Sequence, residues 1–374
     1  MSELIPIFLV SVFLAYMSHR GSKYNAIREN YQKKERVFLC LMTVFMTLFI
    51  GLRTDYNDTV TYRRIYELIP ADVDLFKGID WLELGDNPGF NFTNRLLRRL
   101  GFSTQSYIMF YAVITMPVYT WFIHKYTCNI WMSFFLMFTM GIFTFPLAAI
   151  KQCVAVSFCV IATDRAIRKR YVAFVIYVLI AMLYHPYAMM YLVVPFLFFR
   201  PWSSMSYVML IAFGFIGLFL EALLGTVLNI TDMLGEGYDA SSFNGEGINP
   251  FRLIIHAVPV FLSFLLRPSL KEKNDRANNL ITNLTMLNAE IMFVGLFGTA
   301  NYFGRLANYF QIFQAVSLPW LITRFDRKSK QAITTAACIC FLLYFIYTYA
   351  IHESFDGGYR AINLWDYIES LLYG

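Results

Sequence analysis

The chain consists of apolar runs separated by short polar segments, many of them basic. The runs are about 15 to 25 residues long, the length at which an α-helix crosses a hydrocarbon layer roughly 30 Å thick. They lack the alternation of apolar and polar residues that membrane barrel strands require. The pattern therefore predicts an all-α polytopic membrane protein with about twelve transmembrane helices. We place these helices at residues 3–17, 37–52, 105–124, 130–149, 152–164, 171–185, 187–199, 206–228, 252–267, 280–300, 306–323 and 331–351.

Composition agrees with this class of protein. The chain is 58% hydrophobic and 15% charged, whereas charged residues make up roughly a quarter of a soluble domain. The first apolar run, Leu4 to Met17, has no basic stretch before it and no small-residue cleavage site after it, so we interpret it as a span and not as a signal peptide. No linker divides the sequence, and we expect residues 1–374 to form a single integral membrane domain.

The distribution of basic residues predicts how the spans are oriented. Loops rich in lysine and arginine stay on the cytoplasmic side, so we expect the basic segment 19–36 to be cytoplasmic. With that start, most of the 31 basic residues fall in predicted cytoplasmic segments, and both termini lie outside. The net charge of +6 then follows from topology, and we expect no nucleic-acid partner.

Four polar segments then face the opposite side of the membrane. They are the large loop at 53–104, a second loop at 230–251, a short link at 301–305 and the tail after His352. Long loops without a structural reason are uncommon, so the loop at 53–104 is the leading functional candidate. Within it, residues 91–100 have the pattern of an amphipathic helix at the membrane interface, with apolar Phe92, Leu96, Leu97 and Leu100 set against Arg95, Arg98 and Arg99.

The large loop begins with Arg53, at a position where the positive-inside tendency disfavours a basic residue. Such an arginine needs a partner or an anionic ligand. Asp55, Asp58 and Tyr62 follow at spacings that place acidic and basic groups on one face if the segment is helical. The alternative interpretation is a solvated face on which the charges neutralise each other.

Two predicted outer turns carry polar residues in an apolar context. Lys151 and Gln152 interrupt one apolar stretch, where the lysine either extends to the membrane surface or binds an anion. His185 precedes Pro186, which ends the helix, and it reaches the same predicted face. This histidine is either a structural hydrogen-bonding residue or a participant in catalysis or substrate binding.

Two further arginines lie at the outer ends of predicted spans. Arg252 begins one span, and Arg305 lies in the predicted link beside Tyr302. Ionisable groups inside a membrane cost about 2.5 to 3.5 kcal/mol on insertion scales, so they are functional hypotheses by default. The alternative is an arginine–carboxylate pair that only joins helices.

Four basic residues from distant parts of the chain thus share one predicted membrane face: Arg53, Lys151, Arg252 and Arg305. Guanidinium groups bind phosphate oxygens bidentately, so this set suits a lipid-linked diphosphate. The DxD sequence Asp72-Val73-Asp74 is too short to establish a metal site. We expect neither a metal ion nor another cofactor.

Several short motifs follow one another in a defined order along the chain. In that order the chain resembles the EpsG/Wzy family of bacterial exopolysaccharide, O-antigen and capsular polysaccharide polymerases. It departs from the family pattern at Asn87, where glutamate is usual; asparagine cannot act as a base, so such a role would pass to Asp86 or Glu83. The motifs are Leu52-Arg53, Asp58-Thr59-Val60-Thr61-Tyr62, Asp86-Asn87-Pro88-Gly89-Phe90, Lys151-Gln152, His185-Pro186-Tyr187-Ala188 and Arg305 to Tyr309.

The resemblance implies a GT-C-like glycosyltransferase that acts at the extracytoplasmic face of the bacterial cytoplasmic (inner) membrane. A growing glycan on undecaprenyl diphosphate would be the donor, and a lipid-linked repeat unit the acceptor, in an inverting-type transfer. The implied partners are undecaprenyl-diphosphate-linked oligosaccharides, the lipid bilayer, and a chain-length regulator and a flippase of the same pathway. The predicted catalytic residues are Asp58, His185 and Arg305, with Asp58 or His185 as the base. The predicted substrate-binding residues are Arg53, Asp55, Tyr62, Lys151, Gln152, Arg252 and Tyr302.

Other functions are compatible with the same features. An O-antigen-ligase-like glycosyltransferase shares the outer arginines and the large outer loop, but it would move a finished chain to a different acceptor. A polysaccharide flippase or transporter predicts an internal repeat and charged or broken helices near mid-membrane, which the sequence does not show. A membrane acyltransferase could use His185, although no motif supports it.

Overall fold

The computed structural model describes residues 1–25, 32–233, 247–272, 275–352 and 355–373. In these ranges the chain is mostly helical, as predicted. A 3₁₀ helix at Pro186–Phe196 replaces the α-helix expected at 187–199. The α-helices are α1 Leu4–Asn25, α2 Gln32–Gly51, α3 Thr59–Glu67, α4 Pro88–Arg99, α5 Thr104–Tyr126, α6 Ile130–Thr139, α7 Phe145–Ala148, α8 Ile150–Ile167, α9 Tyr171–Tyr184, α10 Ser204–Leu218, α11 Leu220–Met233, α12 Pro250–Leu265, α13 Arg267–Glu272, α14 Arg276–Val294, α15 Ala300–Ile322, α16 Arg327–Ile346, α17 Phe355–Gly358 and α18 Leu364–Tyr373.

Three of the described helical segments are long and apolar enough to cross a membrane: Leu4–Gly21, Thr104–Tyr126 and Arg327–His352. The broad prediction of a helical membrane protein therefore holds, whereas the number of about twelve spans and the GT-C-like architecture are not confirmed. Further apolar helices of 10 to 17 residues are Ile130–Thr139, Tyr171–Tyr184, Pro186–Phe196, Ser204–Leu218 and Pro250–Leu265.

The helix predicted at 130–149 is wrong, because the chain turns after Thr139. Gly141 adopts a φ of 81°, a conformation that residues with a side chain rarely adopt. A Cβ atom at this position would also lie 2.9 Å from the hydroxyl of Tyr349. The short helix α7 then begins at Phe145, with Pro146 in its first turn. Because the helix ends here, the backbone of α7 lies beside the large loop. A continuous helix would have placed these residues away from the loop.

The link predicted at 301–305 is also wrong. Helix α14 ends at Val294, and α15 already begins at Ala300. Arg305 therefore lies in the second turn of α15, and its direction is set by a helix. The segment predicted as one helix at 206–228 is divided at Phe219 into α10 and α11.

The large loop folds against the helices and contains helices of its own. Its first residues form strand β1, Arg53–Asp55, which pairs antiparallel with strand β2, Arg360–Ala361, near the C-terminus. The predicted amphipathic helix is present as α4, which begins at Pro88. The hydroxyl of Tyr111 donates to Asn94 Oδ1 at 2.7 Å, so α4 packs on protein with its buried face. The second predicted loop, 230–251, is described only in part, since 234–246 lie outside the described residues.

Residues from three predicted cytoplasmic segments lie together at one end of α8. Lys125 and Arg168 form ion pairs with the buried carboxylate of Asp164, and the Arg168 Nε lies 3.3 Å from Asp164 Oδ1. Arg276 Nε donates to the carbonyl oxygen of Ile167 at 3.1 Å. The grouping agrees with one shared side for these segments; the side of the membrane that this end faces stays a prediction.

Candidate functional site

At the opposite end of α8, a polar cavity of about 520 Å³ lies between α3, α7, α8, α9 and α15. Six of the ten predicted site residues line it, although they come from four separate parts of the chain. The remaining lining is formed by one loop residue and by the backbone region that the turn at Gly141 redirects. The residues lining the cavity are Asn57, Asp58, Tyr62, Phe145, Ala148, Ala149, Lys151, Gln152, His185 and Arg305.

One wall of the cavity comes from the start of α3. Asn57 has a φ of 46°, a left-handed conformation that asparagine tolerates better than most residues, and it turns the chain from β1 into α3. Asp58 precedes the first residue of α3, and Tyr62 follows it by one turn. Burial raises the pKa of Tyr62, and the nearby carboxylate of Asp58 raises it further. The Tyr62 hydroxyl is therefore protonated at neutral pH.

The opposite wall carries two cations. Lys151 lies in the first turn of α8. Arg305 lies in α15, and its backbone oxygen accepts a hydrogen bond of 2.5 Å from Gln152 Nε2. The Arg305 guanidinium makes no hydrogen bond or ion pair with a side chain in the described part of the chain. Two cations and a helix N-terminus favour an anionic ligand.

His185 lies between α9 and the 3₁₀ helix, in extended backbone conformation. Its Nδ1 atom is 3.0 Å from the hydroxyl of Tyr309. The backbone oxygen of Tyr309 accepts a hydrogen bond of 2.8 Å from the hydroxyl of Tyr191. These contacts hold the imidazole ring in one orientation and occupy Nδ1, so that chemistry at His185 would use Nε2.

Arg53, Asp55 and Tyr302 are not among the residues that line the cavity. Arg53 is only 1% exposed, and burial lowers its pKa to about 10, which leaves it charged at neutral pH. Its guanidinium donates to Thr59 Oγ1 at 3.0 Å and to the backbone oxygen of Ile50 at 2.6 Å. These contacts give Arg53 a structural role, and the substrate contact expected for these three residues stays a prediction that the geometry does not support.

Thr59 extends the contacts of Arg53 to a second element of the site. Its hydroxyl donates to the backbone oxygen of Leu147 at 3.2 Å, in α7. Arg53 thereby connects the end of α2, the start of α3 and α7 around the cavity. Asp55 lies in β1 opposite Arg360, and the Tyr302 ring packs against Tyr187 at 5.5 Å between ring centroids.

Arg252 lies beyond the cavity, in a groove that continues from it. A second cavity of about 190 Å³ shares Asn57, Phe145 and Ala148 with the first. A third, of about 410 Å³, shares Arg252, Tyr344 and Thr348 with the second. Tyrosine, amide and hydroxyl side chains form half of the lining of these two cavities, and they can donate and accept the hydrogen bonds that sugar hydroxyls make. The polar groove residues that sequence reasoning missed are Tyr56, Asn57, Thr144, Asn249, Asn308, Gln311, Tyr344, Tyr347, Thr348, Tyr349 and His352.

These missed residues had no local signal, because a tyrosine or amide at the end of an apolar helix resembles an ordinary interface residue. The DxD sequence is explained by local structure: Asp74 Oδ1 accepts hydrogen bonds of 2.8 Å from the backbone N–H groups of Phe76 and Lys77. Among the residues described, no group of three or more His, Cys, Asp or Glu side chains could hold a metal ion. The absence of a cofactor stays a prediction.

Comparison with known proteins places the chain in a family. No curated protein and no solved structure matches it. The sequence model of the EpsG family matches residues 36–365, a range that covers most of the chain and all the residues of the cavity. The resemblance inferred from the motifs is thereby confirmed, and the chain belongs to the EpsG family.

Proposed function

We propose that this protein is a polysaccharide polymerase of the Wzy type. It transfers a growing glycan from undecaprenyl diphosphate to a lipid-linked repeat unit, at the outer face of the bacterial cytoplasmic membrane. Membership of the EpsG family supports a polymerase role in general. The observation that carries the specific proposal is the cavity in which Lys151 and Arg305 lie opposite Asp58, with His185 beside them.

The two cations bind the diphosphate of the donor. As the bond between sugar and diphosphate breaks, negative charge develops on the leaving phosphate oxygen, and fixed positive groups stabilise it most in a site with little water. Arg305 is suited to this contact because its backbone is held by Gln152. The N-terminus of α8 adds backbone N–H groups beside Lys151.

The reaction is a single displacement. The oxygen of the acceptor hydroxyl forms a bond to the anomeric carbon, and the bond from that carbon to the diphosphate oxygen breaks with its electron pair leaving on the phosphate. The hydroxyl proton passes to a base in the cavity. Because the attack comes from the face opposite the leaving group, the configuration at the anomeric carbon inverts.

Two side chains of the cavity are candidates for that base. Asp58 carries a carboxylate at the start of α3, and His185 presents Nε2 while Tyr309 holds Nδ1. A base that accepts the hydroxyl proton becomes a third cation in the cavity if it is His185, whereas a carboxylate such as Asp58 becomes neutral. The geometry therefore favours Asp58 as the base, with His185 as a donor or acceptor of a hydrogen bond to the substrate.

The groove that continues from the cavity provides a binding site for the sugar units of the substrate. Its three cavities, each of which shares lining residues with the next, lead from His185 past Arg252 to His352. An elongated, polar lining of this kind fits several sugar units of a chain better than one small molecule. In this arrangement Arg252 contacts the glycan or its acidic substituents, and the diphosphate remains at Lys151 and Arg305.

The experiment compares Arg305→Ala with Arg64→Ala in cells that lack the native gene. Arg64 is an exposed arginine of α3 outside the cavity lining, and it provides a matched loss of charge. With equal amounts of protein in the membrane, we expect the ladder of lipid-linked oligosaccharides to collapse to one repeat in Arg305→Ala and to persist in Arg64→Ala. A normal ladder in Arg305→Ala with no other defect would refute the proposed site. A normal ladder in this variant together with failed transfer of the glycan to a different acceptor would indicate a ligase.

A further inference from the structure

A second, wholly apolar groove runs along the 3₁₀ helix, α10, α14 and α15. It encloses about 530 Å³, and each of its lining residues has an apolar side chain. The lining includes Met190 of the 3₁₀ helix, Ala212 of α10, Leu287 of α14, and Phe303 and Leu306 of α15. A cavity without polar groups does not suit the sugars that the polar groove suits.

The groove opens sideways, between helices. Three of its lining residues remain largely exposed: Phe196 by 77%, Val208 by 58% and Met205 by 55%. On apolar helices such exposure faces lipid, so a molecule can enter from the bilayer. Along α10 the lining extends from Met205 to Ile216, about 16 Å at 1.5 Å per residue, which is roughly half the hydrocarbon thickness.

The edge of this groove formed by Phe303 and Leu306 lies close to the cavity that holds the cations. A row of neighbouring aromatic rings joins His185 of the cavity to Phe303 of the groove. The distances between ring centroids are 5.0 Å from His185 to Tyr187, 5.5 Å from Tyr187 to Tyr302 and 5.1 Å from Tyr302 to Phe303. On α15, Leu306 of the groove directly follows Arg305 of the cavity. A ligand that fills both spaces is anionic at one end and long and apolar at the other.

We infer that this groove holds the polyprenyl chain of the lipid-linked substrate, while the diphosphate lies at Lys151 and Arg305. The assignment rests on the proposed function. Lipid tails are as apolar as leucine, so the groove alone does not distinguish a polyprenyl chain from a bilayer acyl chain. The selection arises because the groove borders the cationic cavity at Leu306 and Arg305, and the cations fix the position of the diphosphate.

The test uses a geranylgeranyl diphosphate analogue that carries a photoreactive diazirine at the far end of its chain. The full-length protein in lipid nanodiscs is irradiated with the probe, and labelled peptides are identified by mass spectrometry. We expect labels within Pro186–Phe196 and Ser204–Leu218. Unlabelled geranylgeranyl diphosphate should suppress the labelling, whereas added phosphatidylglycerol should not.

Two variants of α10 sharpen the test. Ala212→Trp places an indole ring in the groove, and we expect labelling to fall about tenfold, as overpacking of an occupied site predicts. Gly214→Trp is the matched control, because Gly214 is outside the lining and a Cβ there meets no atom within 4 Å. Equal labelling in both variants, labels elsewhere, or equal suppression by phosphatidylglycerol would overturn the assignment.

The result is separable from that of the polymerase experiment. Labels in the groove together with a normal ladder in Arg305→Ala would leave the lipid site in place and refute the proposed catalytic site. A collapsed ladder in Arg305→Ala with labels outside the groove would leave the polymerase function in place and refute the lipid site. Unchanged labelling in Ala212→Trp with its polymer formation intact refutes the lipid site even when the catalytic site stands.

Discussion

Replacing Arg53 by alanine tests whether this arginine binds substrate or holds the site together. The side chain is buried, and it donates to Thr59 Oγ1 and to the backbone oxygen of Ile50. A hydrogen bond from a charged donor contributes about 1.5 to 3 kcal/mol. Two such bonds contribute about 3 to 6 kcal/mol, and the desolvation of the cation, which lowers the pKa of Arg53 to about 10, offsets about 3 kcal/mol of this. We therefore expect Arg53→Ala to lower the stability by about 1 to 3 kcal/mol.

The assay pairs stability with activity. The midpoint of thermal unfolding, followed by tryptophan fluorescence in detergent, should fall in Arg53→Ala and remain near that of the native chain in Arg305→Ala. Polymer formation should fall in both, because loss of Arg53 releases Thr59 from its contact and so displaces α3 with Asp58. Arg53→Lys keeps the charge but cannot make both contacts, so we expect an intermediate midpoint. An unchanged midpoint in Arg53→Ala with polymer formation abolished would refute this reasoning and restore Arg53 as a substrate-binding residue.

Three further predictions concern the turn, the histidine and metal ions. Gly141→Ala should lower stability by about 1 to 3 kcal/mol, because φ is 81° and the new Cβ meets the Tyr349 hydroxyl; an unchanged unfolding midpoint would contradict this. Tyr309→Phe removes the hydroxyl that contacts His185 Nδ1, so we expect kcat to fall while KM is unchanged. The fall should be smaller than the about 10²- to 10⁴-fold that loss of a general base costs, and an unchanged kcat would show that Tyr309 does not position His185. EDTA should leave polymer formation by the purified protein unchanged, since Lys151 and Arg305 are the proposed diphosphate ligands, and a loss restored by Mg²⁺ would contradict the metal-free site.

Local patterns predicted the helical class and most helix positions, but they failed where distant segments decide the backbone. Residues 130–149 contain no charged residue. The turn at Gly141 is held by contacts with Tyr349 and with Gln311, whose side chain donates to the backbone oxygen of Met140. The start of α15 was placed six residues too late, because Asn301 and Tyr302 are polar in a segment whose helix begins at Ala300.

The candidate site shows the same division. Charged and polar residues in apolar surroundings are costly wherever they occur along a sequence, so Lys151, His185 and Arg305 were recognisable without a structure. The residues of the polar groove were not, because their role depends only on the cavity that they share. Arg53 was recognisable as unusual, although its burial against Thr59 was not.

The sequence alone determined that this protein is helical and membrane-embedded, because the length of apolar runs and the cost of each charge are properties of local segments. It also determined which residues are candidates for chemistry. Only the tertiary structure decided which candidates meet: it brought Asp58, Lys151, His185 and Arg305 to one cavity and directed Arg53 away from it. Contacts between segments more than a hundred residues apart depend on how helices pack, and no local pattern carries that information.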